Sequence, residues 1–247
     1  GGCGEATRLL SEGTGRILRV AHGGDATPLA RREEPGGGEK PDPAGIFAAA
    51  PGLVRASQAR EGTLARIIIV GDGPGGLSAA MFLARAGHQA DVFGLDKTAM
   101  HYAYLNNYLG IAAISGTDFQ QTARSQAAGA GAALHDVEIT AVSADEEGVT
   151  ATSAPGESLR ADYLILSEGK NPVLARSLGL AQAATGAIAV DGEGRSSQPR
   201  VYVVGRSARP GRSQAIISAG DGARAALDIL AREAGKDVQD WDRPPES

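Results

Sequence analysis

Gly71, Gly73 and Gly76 fall at the spacing Gly-x-Gly-x-x-Gly, within the run Gly71-Asp72-Gly73-Pro74-Gly75-Gly76. In such a loop the first glycine permits a tight turn, the second lets the backbone approach a pyrophosphate, and the third lets strand and helix pack closely. The helix that follows offers unpaired N–H groups and partial positive charge to the same phosphates. The chemistry implied is the binding of a dinucleotide. A carboxylate for a ribose hydroxyl belongs about 20 residues further on, and Asp96 is the nearest at the end of the next apolar run. His101 follows; histidine is the side chain that most readily carries protons near neutral pH, but one without a placed partner more often packs than reacts.

Other chemistries are poorly served. Cys3 is the only cysteine of the 247 residues, which excludes an intrachain disulfide, a Cys-x-x-Cys redox pair and a cysteine-rich zinc cluster. His22, His88 and His135 show no metal-ligand spacing, so no metal site is expected. Ser78 and Ser218 lie in no Gly-x-Ser-x-Gly elbow, which leaves serine hydrolysis unsupported. Asp145-Glu146-Glu147 reads as a solvated turn, and Tyr102, Tyr104 and Tyr108 as sheet-covering side chains before ring-stacking ones. With 29 acidic residues against 24 Lys and Arg, the net charge of −5 offers nucleic acid no basic surface. No apolar stretch approaches the ~18–20 residues of a membrane span. No signal peptide can be read in the opening Gly1–Gly13, which has no basic start followed by an apolar run; the expected location is the cytoplasm.

These residues need elements to position them. Residues 1–62 mix Gly, Ala, Arg, Glu and Pro and read as a loosely attached extension, with a short helix allowed near 46–57; residues 63–247 form the expected domain. Arg66–Val70 is a β-branched run suited to a strand buried on both faces, and the glycine loop ends it. Leu77–Ala86 carries a helical apolar stripe closed by Gly87, and Ala90–Phe93 makes the next strand, which together form a βαβ unit. A helix is predicted over Thr117–Ala128, capped by Ser115 or Thr117, with a short strand starting at Ala133. Val137–Ala144, Val149–Ser153 and Ser158–Arg160 read as an antiparallel meander. Strands over Ala161–Leu166 and Val201–Val204 and a long helix over Ser213–Ala234 complete the domain.

With these elements in place, the sequence resembles a family. Ile69 to Ala80, Asn107-Tyr108-Leu109-Gly110, Ser115-Gly116 and Gln214 to Gly222 are similar, in order and spacing, to the FAD-binding half of thioredoxin-reductase-like flavoproteins. Met100-His101 followed by Asn107-Tyr108-Leu109-Gly110 is similar to small stand-alone NAD(P)/FAD-dependent members. The resemblance implies an α/β fold with a Rossmann-like FAD-binding domain, a parallel sheet flanked by helices and a small antiparallel meander. It implies FAD as cofactor, with contacts from Gly71, Asp72, Gly73, Pro74, Gly75, Gly76, Asp96, His101, Asn107, Val137, Gly169, Gly205, Arg206, Gln214 and Ala215.

The departures are as informative. The NADPH domain and Cys-x-x-Cys that full thioredoxin reductases insert after the strand ending at Gly169 are replaced by a short connector. Ser167-Glu168-Gly169 stands where the family reads Ala-Thr-Gly, Gly205-Arg206 where it reads Gly-Asp, and Gly94 where a ribose-binding acid is common. Glu168 and Arg206 are expected to pair across adjacent strand ends. The implied activity is FAD-dependent oxidoreduction without dithiol chemistry, on an unidentified small-molecule substrate or redox carrier, with electrons from a freely docking NAD(P)H, a carrier protein or the substrate. The alternative is a non-catalytic nucleotide-binding module derived from such an enzyme.

Overall fold

The computed structural model describes residues 64–238. The expected extension over 1–62 and its short helix lie outside the described residues.

Arg66–Val70 forms β1, Pro74–Arg85 α1 and Gln89–Phe93 β2, in parallel register with β1 from Arg66 opposite Gln89 to Val70 opposite Phe93. Pro74 stands at the start of α1, where its missing N–H costs nothing. Gly87 ends the helix at φ +89, a conformation glycine adopts without a Cβ penalty, while the His88 amide donates to the Leu83 carbonyl. A single-turn 3₁₀ segment, Ala99–Tyr102, precedes the two-stranded antiparallel pair β3, Tyr104–Leu105, and β4, Ile114–Ser115. That pair is not foreseen from the sequence, because two-residue strands are too short to show a period. Next comes α2, Gly116–Gly129; of the two expected caps it uses Ser115, whose hydroxyl accepts from the Asp118 amide.

Ala133–His135 is β5. Ile139–Ala144, Val149–Ser153 and Ser158–Ala161 are β6, β7 and β8, the expected meander. Asp145 closes its first turn by accepting from the Glu147 and Gly148 amides. Tyr163–Leu166 is β9, Val173–Ser177 the short helix α3, Val201–Val203 β10 and Ala215–Ala234 α4. The main sheet has the order β10-β9-β1-β2-β5, and every pairing in it is parallel.

The unbroken apolar run of β1 is explained by what covers it. Ile67 and Ile69 face Leu77, Leu83 and Ile229 of α1 and α4, whereas Ile68 and Val70 face Ile139, Val149 and Ala151 of the meander. Ile67, Ile68 and Ile69 are fully buried, each worth about 1.5–3 kcal/mol relative to exposure. Helices α1 and α4 meet at contact distance because α4 carries Gly222, where a Cβ would lie 2.0 Å from the Gly75 carbonyl oxygen. Among the described residues no helix is long and apolar enough to cross a membrane.

The outer strand β10 is fastened to α4 by Asp228. Its carboxylate accepts from Tyr202 Oη at 2.5 Å, Arg195 Nε at 2.7 Å and Arg232 Nε at 3.1 Å, and pairs with Arg195 Nη2 as well. Burial pushes this carboxyl up, but the hydrogen bonds from Arg195, Tyr202 and Arg232 outweigh it and hold the pKa at about 2. A depressed acid stabilises the fold above its unfolded value and loses that contribution as pH falls through the folded one. The thermal midpoint is therefore expected to fall between pH ~4 and ~2, and Asp228→Asn to flatten that part of the profile while lowering the midpoint at neutral pH. An Asp228→Asn variant with the parent's acid profile would contradict the assignment.

Candidate functional site

Three strands of the parallel sheet deliver loops to one edge. β1 runs into Gly71–Gly76, β9 into Ser167-Glu168-Gly169 and β10 into Gly205-Arg206, all at carboxyl ends, where open α/β sheets bind ligands. Between these loops and the 97–100 segment lies a groove of about 360 Å³. Of the sequence-derived candidates, Gly71, Asp72, Gly73, Pro74, Gly75, Gly169, Gly205, Arg206 and Ala215 line it.

The glycines of the loop serve different purposes. Gly71 turns at φ +100, and a Cβ there would meet the Ser167 carbonyl oxygen at 2.2 Å. At Gly76 a Cβ would sit 1.9 Å from the Gly71 oxygen, and at Gly75 it would crowd Val204, Ser167 and Ser218 at 3.1–3.2 Å. Gly73 differs. Its φ of −75 and ψ of −178 suit any residue, and its Cβ would meet Thr98 Oγ1 at an ordinary 3.5 Å. No side chain caps the N-terminus of α1 at Gly73 or that of α4 at Gln214. The early amides of α1 and α4, beside Pro74, Gly75 and Ala215 on the groove wall, thus lack intrahelical acceptors.

The remaining candidates do not line this groove. Asp96 adopts φ +53, and its carboxylate takes a hydrogen bond from Gln120 Nε2 at 3.1 Å and lies 3.2 Å from His101 Nε2. His101 Nε2 also donates to the Asp96 carbonyl oxygen at 2.8 Å, and Nδ1 shares a hydrogen bond with Thr117 Oγ1 at 3.1 Å. The Thr117 bond holds the 96–101 segment against α2, and the Nε2 bond closes the segment on itself. Asn107 Nδ2 donates to Gln214 Oε1 at 3.1 Å, which ties the β3–β4 connection to the start of α4. Val137 packs against the meander core, and Gly76 is buried behind the loop.

Asp72 explains the glycine at 94. Its buried carboxylate accepts from Arg124 Nη1 and from the Asp96 amide at 3.0 Å, and a Cβ on Gly94 would lie 2.4 Å from its Cγ. An acid side chain at 94 is excluded because the acid of the glycine loop already occupies that space.

The expected pair of Glu168 and Arg206 does not form. Both line the groove, as adjacent parallel strands require, but Glu168 gives its two oxygens to the Leu174 and Ala175 amides at 2.7 and 2.9 Å. It caps α3, a helix the sequence reading missed, and free N–H groups on a short helix are a nearer partner than a guanidinium. Burial pushes the Glu168 carboxyl above its ordinary value, against the pull of those amides. Arg206 keeps a buried Nε without a partner. Lys97, Thr98, Lys170 and Ser213 also line the groove and were not singled out from sequence, and Ser167 and Ser218, noted there on other grounds, line it too. Lys97 and Lys170 stand next to Asp96 and Gly169, and adjacency to a strand-end candidate was the signal available. Tyr102 and Tyr104, expected to cover the sheet, are largely exposed at 95% and 66%, while Tyr108 packs on Phe119 at 5.5 Å between ring centres.

A glycine loop between a parallel strand and a helix, with a groove across neighbouring strand ends, defines a Rossmann-like domain. The chain has the fold of thioredoxin reductases. Residues 116–222 match the family described as pyridine nucleotide-disulphide oxidoreductase. Over 107 residues the chain is 34% identical to a thioredoxin reductase of Spironucleus barkhanus, a match that covers 42% of this chain and 35% of that protein. The chain thus spans about a third of the length of the curated relative it matches. It is similar in structure to a thioredoxin reductase from Gloeobacter violaceus, with a TM-score of 0.66, 16% identity, and coverage of 74% of this chain and 100% of that one. The thioredoxin reductase from Giardia duodenalis gives 0.61 and 16%, covering 69% and 99%. The atypical thioredoxin reductase TRi from Desulfovibrio vulgaris Hildenborough gives 0.63 and 18%, covering 69% and 98%.

Proposed function

We propose that the groove at the carboxyl edge of the sheet holds FAD and that the protein is a redox flavoprotein whose electrons arrive from a donor outside this chain. Gly73 carries the reading. Gly71 and Gly76 are glycine because the protein's own backbone leaves no room for a side chain, whereas Gly73 has an unstrained backbone and room for a Cβ at an ordinary contact with Thr98 Oγ1. A missing side chain that the fold does not need is what a closely approaching pyrophosphate requires. The loop backbone, the free amides of α1 and the start of α4 at Ala215 are the groups that would hold the cofactor.

FAD, when bound, supplies reversible uptake of a hydride or of single electrons. This chain's part is to bind and orient it. Asp96 and His101, locked to Gln120 and Thr117, fix the segment that forms one wall, and the Asn107–Gln214 bond fixes the start of α4. With a single cysteine in the chain, Cys3, intrachain dithiol exchange has no counterpart here.

The redox claim is tested by adding NADPH, NADH or a chemical reductant anaerobically to the flavin-loaded protein. Bleaching of the visible flavin band by a nicotinamide donor is expected. Bleaching by the chemical reductant alone would favour a reduced carrier protein as donor. A bound flavin that no donor reduces would leave a nucleotide-binding module without redox function.

A further inference from the structure

We infer that Arg206 is an anion-binding residue, forming with Lys170 a phosphate subsite in the lining of the groove. The inference deepens the dinucleotide reading and rests on it for the identity of the natural ligand, though not for the chemistry of the subsite.

The charges along the groove are divided unequally between free and spent. Asp72 is neutralised by Arg124 behind the glycine loop, and Glu168 is spent on the Leu174 and Ala175 amides of α3. Both carboxylates that line the groove are therefore occupied from the protein side. The cations that line it are Arg206, Lys97 and Lys170, and among the described residues none of them forms an ion pair. Arg206 goes further. Its Nε is buried and has no hydrogen-bond partner. A buried donor left unpaired costs about 1–3 kcal/mol, a cost that the ligand-free fold carries.

A guanidinium presents a rigid fork of N–H donors that matches two oxygens of a phosphate, which a lysine does not. Ser213 and the start of α4 at Ala215 lie on the same groove lining and add a hydroxyl and unpaired amides. The family resemblance sets an acid at 206, so the subsite is a feature of this chain. The ligand chemistry is a phosphate or pyrophosphate dianion, carried either by a dinucleotide in the groove or by a separate phosphorylated compound.

Inorganic pyrophosphate, titrated into the full chain by calorimetry at low ionic strength, tests this without flavin. The parent is expected to bind it, and Arg206→Gln to bind at least about tenfold more weakly while its thermal midpoint without pyrophosphate stays the same or rises. Arg206→Lys is expected to restore only part of the affinity, because the charge returns without the fork. Gly73→Ala separates the sources. Pyrophosphate affinity that survives Gly73→Ala marks a subsite for a separate phosphorylated compound, and affinity lost in both variants marks one pyrophosphate spanning loop and arginine. Arg206→Gln binding pyrophosphate as the parent does, or a parent that does not bind it, would overturn the inference. FAD binding with no pyrophosphate binding would overturn it while leaving the flavin reading in place.

Discussion

Gly73→Ala is expected to fold as the parent does and to lose about ten- to a hundredfold in affinity for FAD. The added methyl meets only Thr98 Oγ1 at 3.5 Å, an ordinary contact, and the backbone at φ −75 and ψ −178 accepts alanine without strain. Replacing glycine at an unstrained position even restricts the unfolded chain slightly, which favours the fold. With ligand present the same methyl stands between the loop backbone and the pyrophosphate. Forced overpacking costs about 1–3 kcal/mol, and each 1.4 kcal/mol is a factor of ten in affinity. Thermal melting and FAD titration of the same preparation separate the two effects. Unchanged affinity would reduce the loop to a turn.

Three residues on, the opposite outcome is expected. Gly76→Ala places a Cβ 1.9 Å from the Gly71 carbonyl oxygen and 3.2 Å from Ile69 Cγ2. The obstacle is backbone of the same loop, held at its other side by the Gly71 amide donating to the Phe93 carbonyl at 2.8 Å. Relief requires moving α1 away from β1, and with it the contact of α1 and α4 at Gly222. The loss of stability is expected to reach about 3 kcal/mol or more, at the upper end for overpacked positions. A denaturant midpoint close to the parent's would show that the loop yields more easily than its packing implies. Two alanines in one loop thus divide it into a residue for the ligand and a residue for the fold.

Much of this was legible in the sequence because the signals are local and periodic. Arg66–Val70, the Gly71–Gly76 loop and Leu77–Ala86 announce strand, turn and helix by composition alone, and the meander by alternation around the Asp145–Gly148 turn. What sequence could not supply was the choice of partner. Glu168 and Arg206 reach the same sheet edge, yet nothing along the chain shows that α3 brings free amides to Glu168 first. Asp96 stands at the usual distance for a ribose-binding acid, but Gln120 and His101, residues of different elements, hold it. Gly94 reads as a lost acid until Asp72 is seen in the space its side chain would need.

The central claim is that one FAD occupies the groove of each chain, and the flavin absorbance of the purified protein tests it most directly. After incubation with FAD and removal of free ligand, the visible flavin band is expected to account for one cofactor per chain. A protein that stays colourless, with no flavin retained at any concentration of FAD offered, would contradict the account.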